Sequence, residues 1–455
     1  MNRNKFFHDL LTTIGDRGRN LLSPGAAKCV DAADLTGLCR QLLSTRGEAS
    51  GMVMAREVHA DFAGMSEEQK LEFFISLARE FGADPAKVLE AARMFVDDQS
   101  PRAQAQLARA VEPPRHELFR RLNLAPGGTA SLVEMRSQLL RHLKSEPELA
   151  AVDADLAHMF TSWFNRGFLV LRPIDWATPA HILEKIIDYE AVHEIHDWEE
   201  LRQRLEPPDR RCAAFFHPSL GDEPLIFVQV ALTLDMPGSV QNLLDRQRKP
   251  VDATRANTAV FYSISNCQNG LRGISFGSFL IKQVVEDLKR DLGGLKTFAT
   301  LSPAPGFSRW VAESTGVDSE AGKLVAGTDW VGTAHEARAR EVLMPLAVEY
   351  FLKAKNGSGM PRDPVARFHL NNGARLERIN WLGDRSAKGL AQSAGIMVNY
   401  RYQLRHIEEN HEAYVKEGHV AAARQVRSML VTEKARDAAQ AGTRSRPSRP
   451  DSSVN

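Results

Sequence analysis

Residues 258–307 constrain this chain more than any other stretch. They set a strand, a glycine-punctuated loop, an amphipathic helix and a second strand in direct succession. Residues 258–265 (TAVFYSIS) are rich in β-branched and aromatic side chains, as strands are. Gly270, Gly273 and Gly277 let the backbone turn closely and expose its N–H groups. A helix follows at once, with Ile281, Val284, Val285, Leu288 and Leu292 at spacings of three and four. The second strand ends at Ser302. A glycine-lined helix N-terminus attracts anions, because its first N–H groups lack partners and the helix dipole favours negative charge. Arg272 adds a positive charge to that loop, so phosphate binding is the natural reading. The bland alternative is a tight turn and nothing more. The spacing is neither GxxxxGK[ST] nor a clean GxGxxG with an acidic residue about twenty positions on, which disfavours a P-loop hydrolase and a dinucleotide fold.

At 455 residues the chain has room for two or more domains with real cores. A net charge of +1 leaves no basic surplus for nucleic acid. Cys29, Cys39, Cys212 and Cys267 show no metal spacing, and their scarcity fits a reducing compartment. No run approaches the length of a membrane span. The start MNRNKFF lacks a signal-peptide core, and Asp9 and Asp16 count against a basic targeting segment.

The first third reads as helical. Ser66 and Gln69 form a capping box before Leu71, Phe74, Ile75, Ala78 and Phe81, with Gly82 as the stop. Asp84 and Pro85 open a helix carrying Val88, Leu89, Ala92, Phe95 and Val96. Residues 97–114 read as a looser link, and further helices are expected over 131–143 and 146–164. No catalytic constellation is visible there, so packing or oligomerisation is the expected role. From Gly167 the texture changes. Residues 167–174 (GFLVLRPI) read as a strand, and Thr178–Pro179 starts a helix toward His193. Residues 224–233 (PLIFVQVALT) read as a strand buried on both faces. A polar helical region follows Ser302. His369 is read as a strand residue before a hairpin-type turn at Asn372–Gly373. Residues 397–404 read as a strand, followed by a helix rich in Arg and Ala. The polar tail beyond about residue 433 is expected to be disordered.

The segment RGISFGS resembles the pyrophosphate-binding loop of the acetyltransferase-like superfamily, which binds coenzyme A. Together with YEAVHEIHDWEEL, RRCAAFFHPSLGDEPLIFVQVALT, TLSPAPGFSRW, DPVARFHLNNGARLERINW and GIMVNYRY, it makes residues 167–402 resemble malonyl-CoA decarboxylases. The resemblance implies an α+β protein. A helical oligomerisation domain (1–165) would precede an acetyltransferase-like (GNAT-type) mixed β-sheet domain flanked by helices (166–432). It implies conversion of malonyl-CoA to acetyl-CoA and carbon dioxide, without metal or cofactor. Residue by residue it makes Ser302 and His369 the catalytic pair, with Tyr402 lining the site. Arg272, Gly273, Ile274, Ser275, Phe276, Gly277 and Ser278 would hold coenzyme A. Animal members carry a glutamate at the position of Ser275, so a carboxylate that orients the histidine there is replaced here by another group or by none. The expected partners are malonyl-CoA and further copies of the chain, as a dimer or tetramer, with no nucleic acid and no membrane. The C-terminus lacks the SKL-type address of peroxisomal members, which points to the cytoplasm.

The chemistry is consistent with that resemblance. Losing carbon dioxide from a malonyl thioester leaves an enolate, so the site must stabilise an oxyanion and deliver a proton to carbon. The thioester carbonyl itself accepts the electrons. Histidine, with a reference pKa of about 6.5, can donate near neutrality. A serine hydroxyl can hold the carboxylate or relay the proton. Taken singly, a serine before proline is commonly a turn residue, and a strand histidine is commonly hydrogen-bonded filler. His217, in FFHPSLGDEP, is a rival. His193 and His196 (HEIH) depart from HExxH and read as structural. No Gly-x-Ser-x-Gly surrounds Ser302, which argues against a hydrolase nucleophile. A coenzyme A-dependent acyltransferase and a non-enzymatic acyl-CoA-binding oligomer stay open at this point.

Overall fold

The computed structural model describes residues 31–45, 47–274 and 280–430. Cys29, the four loop residues Ser275, Phe276, Gly277 and Ser278, and the tail beyond residue 430 lie outside them. The chain divides into two compact units. One is Met1–Leu171 with Phe215–Ile226 and Asn266–Gly277; the other is Arg172–Ala214, Phe227–Ser265 and Ser278–Asn455.

In the first unit, helices Ala32–Ser44, Glu48–Gly64, Glu67–Glu80, Pro114–Asn123, Gly128–His142 and Ala150–Trp163 enclose a core that includes Phe73, Phe74, Phe119 and Phe160. The Ser66–Gln69 capping box is present, with both reciprocal bonds made. Asp84 caps Pro85–Asp97 through the N–H groups of Ala86 and Lys87. The supposed link over 97–114 is instead largely a helix, Pro101–Val111, started by Ser100 at the cap and Pro101 in the first turn. It buries only Ala103, so it lacks the apolar period that makes longer helices legible. The helix Glu67–Glu80 ends with Phe81 as its cap, one residue short of Gly82.

The strands are β1 (Val170–Ile174), β2 (Arg210–Phe216), β3 (Pro224–Thr233), β4 (Thr258–Asn266), β5 (Thr297–Thr300), β6 (Ser302–Pro303), β7 (Arg375–Asn380) and β8 (Met397–Tyr402). They form one mixed sheet in the order β1-β2-β3-β4-β5-β8-β6, with β7 on the other side of β8. β4 and β5 run parallel, and the helix Leu280–Asp291 connects them; β8 is antiparallel to β5, β6 and β7. β3 is buried from Pro224 to Leu232, as a run without alternation requires. The α+β architecture expected from the sequence, helices followed by a mixed sheet with flanking helices, is the one found.

Five local expectations change. The strand after Gly167 starts only at Val170, after a 3-10 turn at Arg166–Phe168. The helix after Thr178 is Ala180–Tyr189 and ends before His193. His369 lies on a helix, Pro364–Asn371, and not on a strand. Its start is written as Asp363–Pro364: Asp363 accepts the Ala366 N–H at 2.7 Å, and Pro364 fills the first helical position. Its stop is Gly373, whose φ of +74° is the left-handed conformation that ends helices. The Ala374 N–H closes back on the His369 carbonyl at 3.0 Å. Asn372–Gly373 is therefore a helix terminator, not a hairpin turn. Beyond β8 the longer helix is Ile407–Glu417, and the Arg/Ala-rich segment contributes only Arg424–Ser428. Among the described residues no helix is long and apolar enough to cross a membrane.

Candidate active site

β5 and β6 form one interrupted strand against β8. Phe298 pairs with Tyr402 and Ser302 with Val398 in a single register, so Thr300 and Leu301 face Tyr400 and Asn399 across the break. Side chains take over the missing ladder bonds. The Tyr400 N–H goes to Thr300 Oγ1 (3.1 Å), and the Asn399 side chain donates to the Thr300 carbonyl (2.7 Å). Ser302 sits immediately beyond this gap, two residues from Thr300, so both hydroxyls lie on one face of the strand.

Ser302 Oγ meets His369 Nε2 at 3.0 Å, and His369 Nδ1 meets the Tyr402 hydroxyl at 2.8 Å. All three residues are buried. The structure thus brings together Ser302, His369 and Tyr402, and the partner of the imidazole is a phenol rather than a carboxylate. The Tyr400 ring stacks on the imidazole, with centroids 4.6 Å apart and planes 26° apart. Burial pulls His369 down to about 3, so its ring is neutral near pH 7 rather than poised at the ordinary histidine value. Burial holds the Tyr402 phenol well above its usual range, so it keeps its proton and acts as donor to Nδ1. The neutral ring then carries its proton on Nε2, an assignment made from these partners, and donates to Ser302. Ser302 in turn donates to Thr300 Oγ1 at 2.8 Å. The chain of donors runs one way, from Tyr402 through His369 and Ser302 to Thr300.

The helix bearing His369 is anchored at its other end. Asp363, fully buried, accepts from the Tyr350 hydroxyl at 3.1 Å as well as from Ala366. Burial pushes its carboxyl up to about 6. Sequence reading missed Thr300, Tyr400, Asp363 and Tyr350; of these, only the Asp363–Pro364 helix start was visible as a signal.

Arg272, Gly273 and Ile274 belong to the first unit. Gly273 has φ +82°. Just before them, Gly270 lies so close to the helix Gly128–His142 that an added Cβ would come within 1.8 Å of the Val133 carbonyl oxygen. Arg136 of that helix fixes the segment. Its Nη1 donates to the carbonyls of Gly270 (2.7 Å) and Arg272 (2.9 Å), and its Nε to Asp153 (2.7 Å). The helical region therefore does hold a residue that bonds the segment from Gly270 to Arg272. His217 has both ring nitrogens committed, Nδ1 accepting from the Ser219 N–H (3.1 Å) and Nε2 donating to the Trp163 carbonyl (3.1 Å). His193 is buried and pulled down to about 4, chiefly by burial. His196 is exposed, and its backbone N–H donates to Glu200.

Comparison with known proteins decides the family. Residues 167–440 match the malonyl-CoA decarboxylase C-terminal domain, and residues 81–164 match the N-terminal domain. The chain belongs to the malonyl-CoA decarboxylase family. It is 36% identical to the goose (Anser anser anser) protein named malonyl-CoA decarboxylase, mitochondrial, over 80% of each chain. The mouse (Mus musculus) protein of the same name is 32% identical over 91% of this chain and 94% of its own length. Among solved structures, the malonyl-CoA decarboxylase of Rhodopseudomonas palustris superposes with a TM-score of 0.84 at 54% identity, covering 88% of this chain and all of that one. That of Agrobacterium vitis gives 0.82 at 53%, with the same coverage. The chain is thus a carboxy-lyase of the malonyl-CoA decarboxylase family, with malonyl-CoA as its substrate.

Proposed function

We propose that decarboxylation proceeds through an enolate that is protonated by Ser302, with His369 as the neutral donor behind it and Tyr402 holding the imidazole in its Nε2–H form. The observation that carries this reading is the chain of donors from Tyr402 through His369 to Ser302 and on to Thr300. In serine nucleophile sites the imidazole nitrogen facing the hydroxyl is unprotonated and removes the serine proton. With the proton assigned to that nitrogen from its partners, the serine is supplied rather than stripped. When the bond to the carboxylate breaks, its electron pair enters the thioester as an enolate. Ser302 passes its proton to the α-carbon, and His369 restores it from Nε2. One proton from solution completes the balance of malonyl-CoA going to acetyl-CoA and carbon dioxide. No cationic side chain bonds to Ser302 or His369 among the described residues. A carboxylate held there by hydroxyls alone is not stabilised by an ion pair that its departure would have to break.

Arg272 to Ser278 take the coenzyme A pyrophosphate in this reading. Arg272 supplies charge, and the segment feeds the N-terminus of the helix Leu280–Asp291. Purified protein given malonyl-CoA alone should produce acetyl-CoA. Dependence on an added amine acceptor would overturn the reading in favour of acyl transfer.

A neutral His369 has a direct signature. Its folded value lies below the ordinary 6.5, so the unfolded chain binds more protons between about pH 3 and 6.5. The contribution to stability is therefore full above 6.5 and is lost as pH falls through that window. His369 resonances followed by NMR from pH 8 to 5 should not titrate. A midpoint near 6.5 would remove the neutral-donor proposal.

The same reading includes self-association. Helices Pro85–Asp97 and Pro101–Val111 each bury a single residue, Ala91 and Ala103, and leave Leu89, Met94, Val96 and Val111 exposed. Uncovered apolar surface of that kind favours a second copy of the chain. Light scattering at micromolar protein should give a dimer or tetramer mass; a sharp monomer peak would exclude it.

A further inference from the structure

We propose that Thr300 is a positioning residue for the reaction: its Oγ1 receives the Ser302 proton in the resting site and so sets the direction of the whole hydrogen-bond chain. The inference rests on the serine-relay reading above. It starts from a proton count. Ser302 has one proton to give, and it goes to Thr300 Oγ1. Its oxygen must then accept from His369 Nε2–H, which leaves Nδ1 as the acceptor for Tyr402. Among the described residues the Tyr402 hydroxyl has no other hydrogen-bond partner, so its proton finds an acceptor only when the chain runs in this direction.

Thr300 is itself held with unusual completeness for a strand residue. It is fully buried. The break between β5 and β6 turns the Tyr400 N–H away from a backbone carbonyl and onto Thr300 Oγ1. The Thr300 carbonyl is taken by Asn399. Asn399 is fully buried too, and its Oδ1 accepts from Arg378 (3.0 Å) and Asn380 (2.8 Å). A β-branched side chain has few χ1 choices, and the Tyr400 N–H selects the one that aims Oγ1 at Ser302. The gap in the ladder thus has a use: a regular strand pair would have spent that N–H on backbone.

Replacing Thr300 by valine keeps the shape and removes the acceptor. The serine proton then has one acceptor left within reach, His369 Nε2. Ser302 and Tyr402 then compete to donate to the imidazole; when serine wins, the ring carries its proton on Nδ1, and Tyr402 becomes the acceptor with its own proton unbonded. That is the nucleophile arrangement, in which serine gives its proton to histidine instead of receiving one. Delivery to carbon should fail while substrate still binds.

Thr300→Val is therefore expected to lower kcat for malonyl-CoA by about 10- to 100-fold, the scale of one lost buried hydrogen bond, with KM unchanged. Thr300→Ser, which keeps the hydroxyl, should restore most of kcat. In protein carrying 15N-histidine, His369 should be the Nε2–H tautomer in the wild type and shift to Nδ1–H in Thr300→Val. A valine variant with wild-type kcat and an Nε2–H ring overturns the proposal, and so does a serine variant as poor as the valine one. If the valine variant does not fold, the wild-type spectrum decides, because an Nδ1–H ring there contradicts the direction of the chain. Ser302→Ala separates the two levels. If it stays active, the serine relay itself fails; if it is inactive while Thr300→Val is normal, only the role of Thr300 falls.

Discussion

Ser302→Ala and His369→Asn are each expected to lower kcat for malonyl-CoA by about 100- to 10,000-fold, the range for removing a positioned proton donor. Binding of coenzyme A should persist in both, because neither change touches Arg272 or the backbone around it. Alanine takes away the hydroxyl that meets His369 Nε2 at 3.0 Å and leaves the imidazole without a carrier to the α-carbon. Asparagine keeps a polar side chain of smaller reach on the helix Pro364–Asn371 but supplies no imidazole proton. The two residues serve one proton transfer, so the double variant should be little worse than either single one. Full additivity of the two losses would mean that they act in separate steps. Near-normal turnover by either folded variant would remove the assignment. His217→Asn is the control: with its ring nitrogens bonded to Ser219 and Trp163, its loss should cost stability more than rate. If turnover vanished there and survived in His369→Asn, the catalytic role would pass to His217.

Elements with strong periods or written caps were legible in the sequence. The Ser66 capping box, the Asp84–Pro85 start and the near-continuous apolar run of β3 each carry their physics within a few residues, and each forms as expected. His369 was misplaced on a strand because its helix is only eight residues long, too short for a convincing 3.6-residue period. An Asn–Gly pair after it fits a hairpin as well as a helix stop, and Asp363–Pro364 was the signal that separated them. Ser302, His369 and Tyr402 were named through resemblance, and their meeting could not be read from spacing, since the contacts span 67 and 33 positions. Thr300 was invisible for a different reason. A threonine in a strand is an ordinary β-former, and its special position exists only because β8 pairs on both sides of a gap. Its contact to the Tyr400 N–H crosses 100 positions. Arg136 looked like one more charged residue on a helix; two of its acceptors lie 134 and 136 positions away.

Arg136→Met should weaken both the first unit and the coenzyme A binding proposed for Arg272 to Ser278. The guanidinium is almost fully buried and serves three acceptors at once: Asp153, the Gly270 carbonyl and the Arg272 carbonyl. Methionine fills a similar length of apolar space but leaves all three without their donor. Breaking a buried charged pair costs roughly 3–5 kcal/mol, and the partial exposure of Asp153 puts the expected loss at the lower end. The two carbonyls matter for function because they belong to the residues leading into the proposed pyrophosphate loop. Gly270 is already pressed against the Val133 carbonyl with no room for a Cβ, so the segment is held by contact on one side and by Arg136 on the other. Freed of the guanidinium, the segment from Gly270 to Arg272 must be held by the ligand instead, which charges that cost to binding. KM for malonyl-CoA should rise by about tenfold, the equivalent of one such lost bond, while kcat changes less. Arg136→Lys should not rescue it, since an ammonium cannot reproduce the forked geometry that spans two carbonyls and a carboxylate. Asp153→Asn separates stability from binding: it removes the ion pair but keeps both carbonyl bonds, so denaturation should come earlier with KM unchanged. Chemical denaturation and steady-state kinetics on the three variants decide the matter. An Arg136→Met protein that is less stable but binds coenzyme A normally would show that the segment from Gly270 to Arg272 does not position the phosphate loop.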